Sequence, residues 1–165
     1  MPTATATATP IPTPTPVPIG TPVRFKIPTI KVDTDVEQVG LTADGAMDTP
    51  KNYDNVGWYS PGPKPGEPGN ATIAGHVDSK RGEAVFWNLR KLKPGDEVYA
   101  VGSDGVERRF VVTLLEFYKR PDAPLQRIFG PADGRHLNLI TCAGVFDRGR
   151  QEYDQVLVVY TDLAP

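Results

Sequence analysis

The chain has 165 residues, 39% of them hydrophobic and 23% charged, with a formal net charge of −2. That length suits one domain around a single hydrophobic core, and the near-neutral balance offers no electrostatic footprint for nucleic acid or an anionic membrane. One cysteine excludes an internal disulfide and any Cys-rich metal site, two histidines make a structural metal centre unfavourable, and no run approaches the ~20 apolar residues of a spanning helix.

Residues 1–22, MPTATATATPIPTPTPVPIGTP, form a Thr/Pro/Ala tract without a charged side chain. Repeated proline holds such a segment near polyproline II and it carries little to bury, so it reads as an extended linker. Spacers of this kind commonly sit outside cells between an anchor and a domain. Any signal or anchor segment is expected to lie outside this sequence.

The folded part is expected over 23–165. VRFKIP (23–28) alternates apolar and polar as a half-buried strand does, and 29–41 offers one or two more short strands. NVGWY (55–59) is a further strand, followed by a Pro/Gly-rich surface loop over 60–70. ATIAGHVD (71–78) reads as a strand of small and β-branched residues. EAVFWNLRKL (83–92) reads as a helical turn with Phe86, Leu89 and Leu92 on one face. A turn and strand over 93–101 lead to the hairpin signal SDG (103–105) and a long strand over 106–119. A short helix is expected within 121–129, and the closing strands over 136–142 and 154–162. About eight short strands, with eighteen prolines and sixteen glycines to turn them, predict an all-β fold: a closed or nearly closed barrel with one or two short helices.

Cys142 ends the alternating stretch LNLIT and precedes AGVFDRGR, read as a loop, which would leave the thiol exposed enough to react. Arg148 and Arg150 nearby would favour the thiolate. A lone cysteine is also often a small buried hydrophobe. His76, in AGHVD, follows two small residues that leave space beside its ring, and a cysteine with a distant histidine is the minimal pair for thiol catalysis. His136 lies on the expected strand of Cys142 but about 20 Å away at ~3.3 Å per residue, which leaves His76 as the base. Arg148 and Arg150 are either loop charges or donors to an acyl oxyanion. Asp78 either orients His76 or forms a surface salt bridge. Trp58, Tyr59, Phe86 and Trp87 read as core or rim aromatics.

The segments NATIAGHVDSKRGEAVFWNLRKLKPGDEV (70–98) and LNLITCAGVFDRG (137–149) resemble the sortases, most closely their class F group, and the likeness extends over residues 23–162. The histidine motif matches at Ala74-Gly75-His76, the cysteine strand at Leu137 to Cys142, and a further pattern at Phe86, Leu89, Leu92, Gly95 and Asp96. The resemblance implies an eight-stranded sortase barrel and a cysteine transpeptidase with a Cys–His–Arg site. Cys142 would be the nucleophile and His76 its proton-transferring partner. The family's arginine commonly begins the last strand, where Asp154 and Gln155 stand here; the Phe-Asp-Arg after the cysteine points instead to Arg148, with Arg150 as the fallback. Thr141 would position substrate or the oxyanion. The implied substrate is a sorting-signal peptide of the Leu-Pro-x-Thr-Gly type. The implied acceptor is an amine of a cell-wall precursor or pilin, and the setting the extracellular face of the plasma membrane. No metal or cofactor is expected, and the chain is expected to be a monomer. A plain extracellular cysteine peptidase and a non-catalytic cell-surface β-domain remain the alternatives.

Overall fold

A computed structural model describes residues 18–165. The tract over 1–22 thus falls largely outside the described residues. Its last part is already engaged: the Lys64 ammonium donates to Ile19 O (3.0 Å) and Ser103 N to Thr21 O (2.8 Å).

Ten strands follow in chain order: β1 (Pro22–Ile27), β2 (Val32–Val39), β3 (Val56–Tyr59), β4 (Gly69–Ala74), β5 (Asp78–Ser79), β6 (Gly82–Glu83), β7 (Glu97–Gly102), β8 (Glu107–Lys119), β9 (Arg135–Asp147) and β10 (Glu152–Leu163). Eight close into a barrel in the order β1-β2-β3-β4-β9-β10-β8-β7, while β5 and β6 form a separate two-stranded hairpin. The pairs β2/β3 and β4/β9 are parallel and the other barrel pairs antiparallel. Closure leaves no unpaired sheet edge in the barrel.

Phe25, Ile27, Ile73, Phe110, Leu139 and Leu157 fill the interior. A smaller apolar layer lies outside: Val156, Val158 and Tyr160 of β10 pack against Ile128 of helix α1 (Leu125–Phe129). With both faces of β10 covered, VLVVY runs apolar without alternation. The helix is seated by side chains of the sheet. Asn138 Nδ2 (2.9 Å) and Thr72 Oγ1 (3.1 Å) donate to Ile128 O, and Asn70 Nδ2 (2.8 Å) to Gly130 O, so carbonyls left free at the helix end are satisfied.

The eight-stranded barrel expected from the sequence is present, with three local differences. The strand over 71–78 stops at Ala74, leaving His76 beyond the ladder. The helical turn over 83–92 is a single 3-10 turn, Leu89–Lys91. Phe86, Leu89 and Leu92 are all buried there, so the apolar spacing serves the core rather than an α-helix. The residues after Cys142 are not a loop, because β9 continues to Asp147.

Strand directions define two poles. Pro22 pairs with Gly102 and His136 with Asp162 at one; Ala74 pairs with Ile140 and Lys119 with Gln155 toward the other. Cys142 belongs to the second pole, and the entering segment, with Gly20 beside Asp104, to the first.

Candidate active site

Cys142 faces Val156 in the β9/β10 ladder, and Val156 faces Tyr118 of β8 on its other side. This three-strand register brings the residue following β8, Arg120, to the sulfur. Arg120 Nη2 donates to Cys142 Sγ at 3.1 Å, and its Nε donates to the Tyr153 carbonyl. The guanidinium is therefore held by β10 while it addresses β9. Burial pushes the Cys142 thiol above its ordinary pKa, against the lowering influence of the Arg120 charge and hydrogen bond; Asp78 and Glu152 add to the rise. The sulfur is half-buried, and burial makes it hold its proton more tightly than an ordinary thiol.

One residue past Cys142, after Ala143, the ladder breaks. The pairing shifts register between Tyr153 and Gln155, a bulge on β9. Gly144 there has φ +82° and leaves no room for a Cβ beside the Asp154 carboxylate, which accepts from Val145 N at 2.7 Å. Bulges of this kind re-aim a strand next to a site.

The parallel β4/β9 pair directs the chain leading into His76 toward the same pole. Ala74, the last residue of β4, pairs with Ile140; His76 follows Ala74 by two residues, as Cys142 follows Ile140. Gly75 N donates to Ile140 O at 3.1 Å, and buried Thr141 donates its hydroxyl to Gly75 O at 2.7 Å, tying the histidine segment to the cysteine strand. The His76 ring itself is turned to the loop after β2: Nε2–H donates to Pro50 O at 2.7 Å, and Tyr53 stacks on the ring at 4.1 Å. With Nε2 carrying the hydrogen, Nδ1 is the ring nitrogen turned away from that bond. The small residues before His76 do not leave open space. A Cβ on Gly75 would meet the Phe86 ring at 2.6 Å, so the absent side chain is what admits Phe86.

A cavity of about 210 Å³ opens at the thiol, lined by Val77, Phe86, Trp87, Arg90, Phe117 and Leu157 together with Cys142 and Tyr153. Phe86 and Trp87, read from the sequence as core or rim, thus also wall the site. Trp58 is buried, with its indole N–H on Pro63 O at 2.9 Å. Phe117, Val145 and Phe146 remain exposed nearby.

The other expected residues fall elsewhere. Arg148 and Arg150 occupy the exposed turn between β9 and β10, closed by Asp147 Oδ1 accepting from Gly149 N (2.8 Å) and Arg150 N (3.2 Å). The Arg150 side chain is 78% exposed and lies 4.0 Å from Asp147. The arginine hydrogen-bonded to the sulfur is Arg120, in the stretch YKRPD, which the sequence reading passed over. A cation beside the proline that stops a 13-residue strand is its only local signal. Among the described residues Asp78 has no hydrogen bond to His76 and no salt bridge; it accepts the Tyr153 hydroxyl at 2.5 Å. That bond pushes the Tyr153 pKa up to about 12. His136 is paired with Asp162 at 2.5 Å at the far pole of β9. Among the described residues no three His, Cys, Asp or Glu side chains gather as metal ligands, and no helix is long and apolar enough to cross a membrane.

A sortase-domain family model matches residues 25–164. No curated protein sequence matches the chain. Among solved structures, sortase A from Corynebacterium diphtheriae is similar at 18% identity and TM-score 0.68, over 91% of this chain and 63% of that one. Sortase C-1 from Actinomyces oris is similar at 22% identity and TM-score 0.68, over 87% and 75%. A Clostridium perfringens sortase D5 transpeptidase is similar at 21% and TM-score 0.63, over 88% and 79%. The chain thus spans less than two thirds of the diphtherial enzyme, and these likenesses carry the fold. The family match covers nearly the whole barrel, from within β1 to the residue after β10, and sortases are cell-surface cysteine transpeptidases: this chain belongs to the sortase family.

Proposed function

We propose that the protein is a cysteine transpeptidase that cleaves a Leu-Pro-x-Thr-Gly-type sorting signal after threonine and passes the acyl group to an amine. The single observation that carries this is the Arg120–Cys142 contact of 3.1 Å at a cavity in a sortase barrel. The exposed apolar side chains of Phe117, Val145 and Phe146 give an extended peptide a surface beside the thiol.

In this reading His76 leaves Pro50 and Tyr53 and accepts the Cys142 proton through Nδ1. The sulfur attacks the threonine carbonyl carbon. Arg120, already aimed at Sγ, stabilises the oxyanion that forms beside it, the part first expected of Arg148 or Arg150. The imidazolium gives its proton to the leaving glycine amine, and a thioester remains. An incoming amine loses its proton to His76, attacks the thioester, and releases the thiol. Thr141 serves by positioning, since its hydroxyl is committed to Gly75 O. Phe146-Asp147-Arg148 after the cysteine supports the class F reading. The acceptor is a cell-wall precursor or pilin amine at the extracellular face of the plasma membrane, reached by a monomer with residues 1–17 as part of its linker.

The test is mass spectrometry of the protein incubated with a Leu-Pro-x-Thr-Gly peptide. Acylation at Cys142, with amide replacing free acid when an amine is added, supports the proposal. Free acid alone under saturating amine identifies a peptidase, and no acylation overturns the assignment.

A further inference from the structure

The cavity at Cys142 is walled by Val77, Phe86, Trp87, Phe117 and Leu157, and carries one charged side chain, Arg90. Arg90 sits on the 3-10 turn Leu89–Lys91, whose first residue is fully buried, so the turn is anchored in the core. Its guanidinium lies over the Trp87 ring, 4.8 Å from the centroid, and forms no ion pair with a carboxylate among the described residues. Stacking on an aromatic face holds the planar group while leaving its edge N–H donors free. A largely apolar cavity with a few placed polar groups is how a site fixes the orientation of what enters it, and here Arg90 is the one that carries a charge. At about 210 Å³ the cavity is smaller than the roughly 300–1,000 Å³ of a drug-sized ligand site, so it admits side chains close to the scissile bond.

We propose that Arg90 is a specificity-determining residue that selects a donor peptide with a carboxylate side chain at the position just before the scissile threonine. The inference rests on the transpeptidase reading above and narrows its substrate to an acidic sorting signal. An unpaired guanidinium at the rim attracts a carboxylate, is indifferent to an amide and repels an ammonium. The attractive contribution is that of a partly exposed ion pair, about two- to fivefold in affinity, and repulsion of the cation adds to it.

The test uses three peptides, Leu-Pro-Glu-Thr-Gly, Leu-Pro-Gln-Thr-Gly and Leu-Pro-Lys-Thr-Gly. Their affinities are measured for the inactive Cys142→Ala protein and for the same protein carrying Arg90→Glu, and their turnover by the otherwise native chain. Affinity falling from Glu to Gln to Lys, about tenfold across the series, and inverted by Arg90→Glu, supports the inference. Equal affinities, no measurable binding, or an order unaltered by Arg90→Glu overturns it. Binding ordered by charge without any turnover overturns the transpeptidase reading instead and leaves the carboxylate preference standing.

Discussion

Arg120 and Cys142 lie 22 residues apart in the chain, yet Nη2 of one stands 3.1 Å from Sγ of the other. Loss of one oxyanion donor typically costs about 10²–10³ in kcat. Arg120→Ala is therefore expected to reduce both peptide hydrolysis and amine transfer by that range, and Arg120→Lys to restore little, because a compact ammonium cannot bridge Tyr153 O and Sγ together. Arg148→Ala and Arg150→Ala, on the exposed turn, are expected to stay within about threefold. Steady-state rates of the four variants check this.

The raised Cys142 pKa gives a pH dependence of defined sign. Alkylation requires the thiolate, so its rate should climb through a range above that of an ordinary thiol. Arg120→Ala removes a lowering influence and should move the profile to higher pH. Asp78→Asn removes a raising one and should move it lower. Iodoacetamide kinetics against pH separate the two.

The same shift bears on stability. Between the ordinary thiol pKa and the higher folded value, the unfolded chain has released a proton that the folded chain keeps, so stability falls as pH rises through that window. Cys142→Ala should flatten this part of the curve, as read by urea denaturation at a series of alkaline pH values.

Gly75→Ala places a methyl group 2.6–2.9 Å from three atoms of the fully buried Phe86 ring. Overpacking of this kind costs about 1–3 kcal/mol. A lowered thermal midpoint is expected, together with slower turnover, because the displaced backbone is the one leading into His76.

Removing residues 1–17 should leave the midpoint unchanged, since this Thr/Pro tract has no charged group and little to bury. Removal through Thr21 also deletes the acceptors of Lys64 and Ser103, each worth about 1 kcal/mol, and should lower the midpoint by several degrees. Differential scanning calorimetry of the two truncations is the comparison.

Why some features were legible is physical. Alternation and turn residues mark strands locally, so the barrel and nearly all its strands could be read from the chain. Cys142 and His76 are visible in the sequence because a thiol and an imidazole are the residue types that thiol chemistry uses. Arg120 is not, because its place beside the sulfur comes from register: the pairing of β8 with β10 and of β10 with β9 brings it there. Nearness in sequence suggests Arg148 and Arg150 beside the thiol, but nearness in sequence is not nearness in space: a bulge and a self-closed turn carry them outward. Gly75 suggests open space beside His76, but the space a glycine vacates is open only if no other side chain fills it, and here Phe86 does.

The separation of the two poles has a mechanical consequence. The segment that enters the barrel does so beside Ser103 and Asp104, whereas Ala74, Lys119 and Cys142 run toward the other end. Were the chain held through its N-terminal side, the thiol would face away from the holding point, and a polypeptide could reach it without passing beneath the barrel.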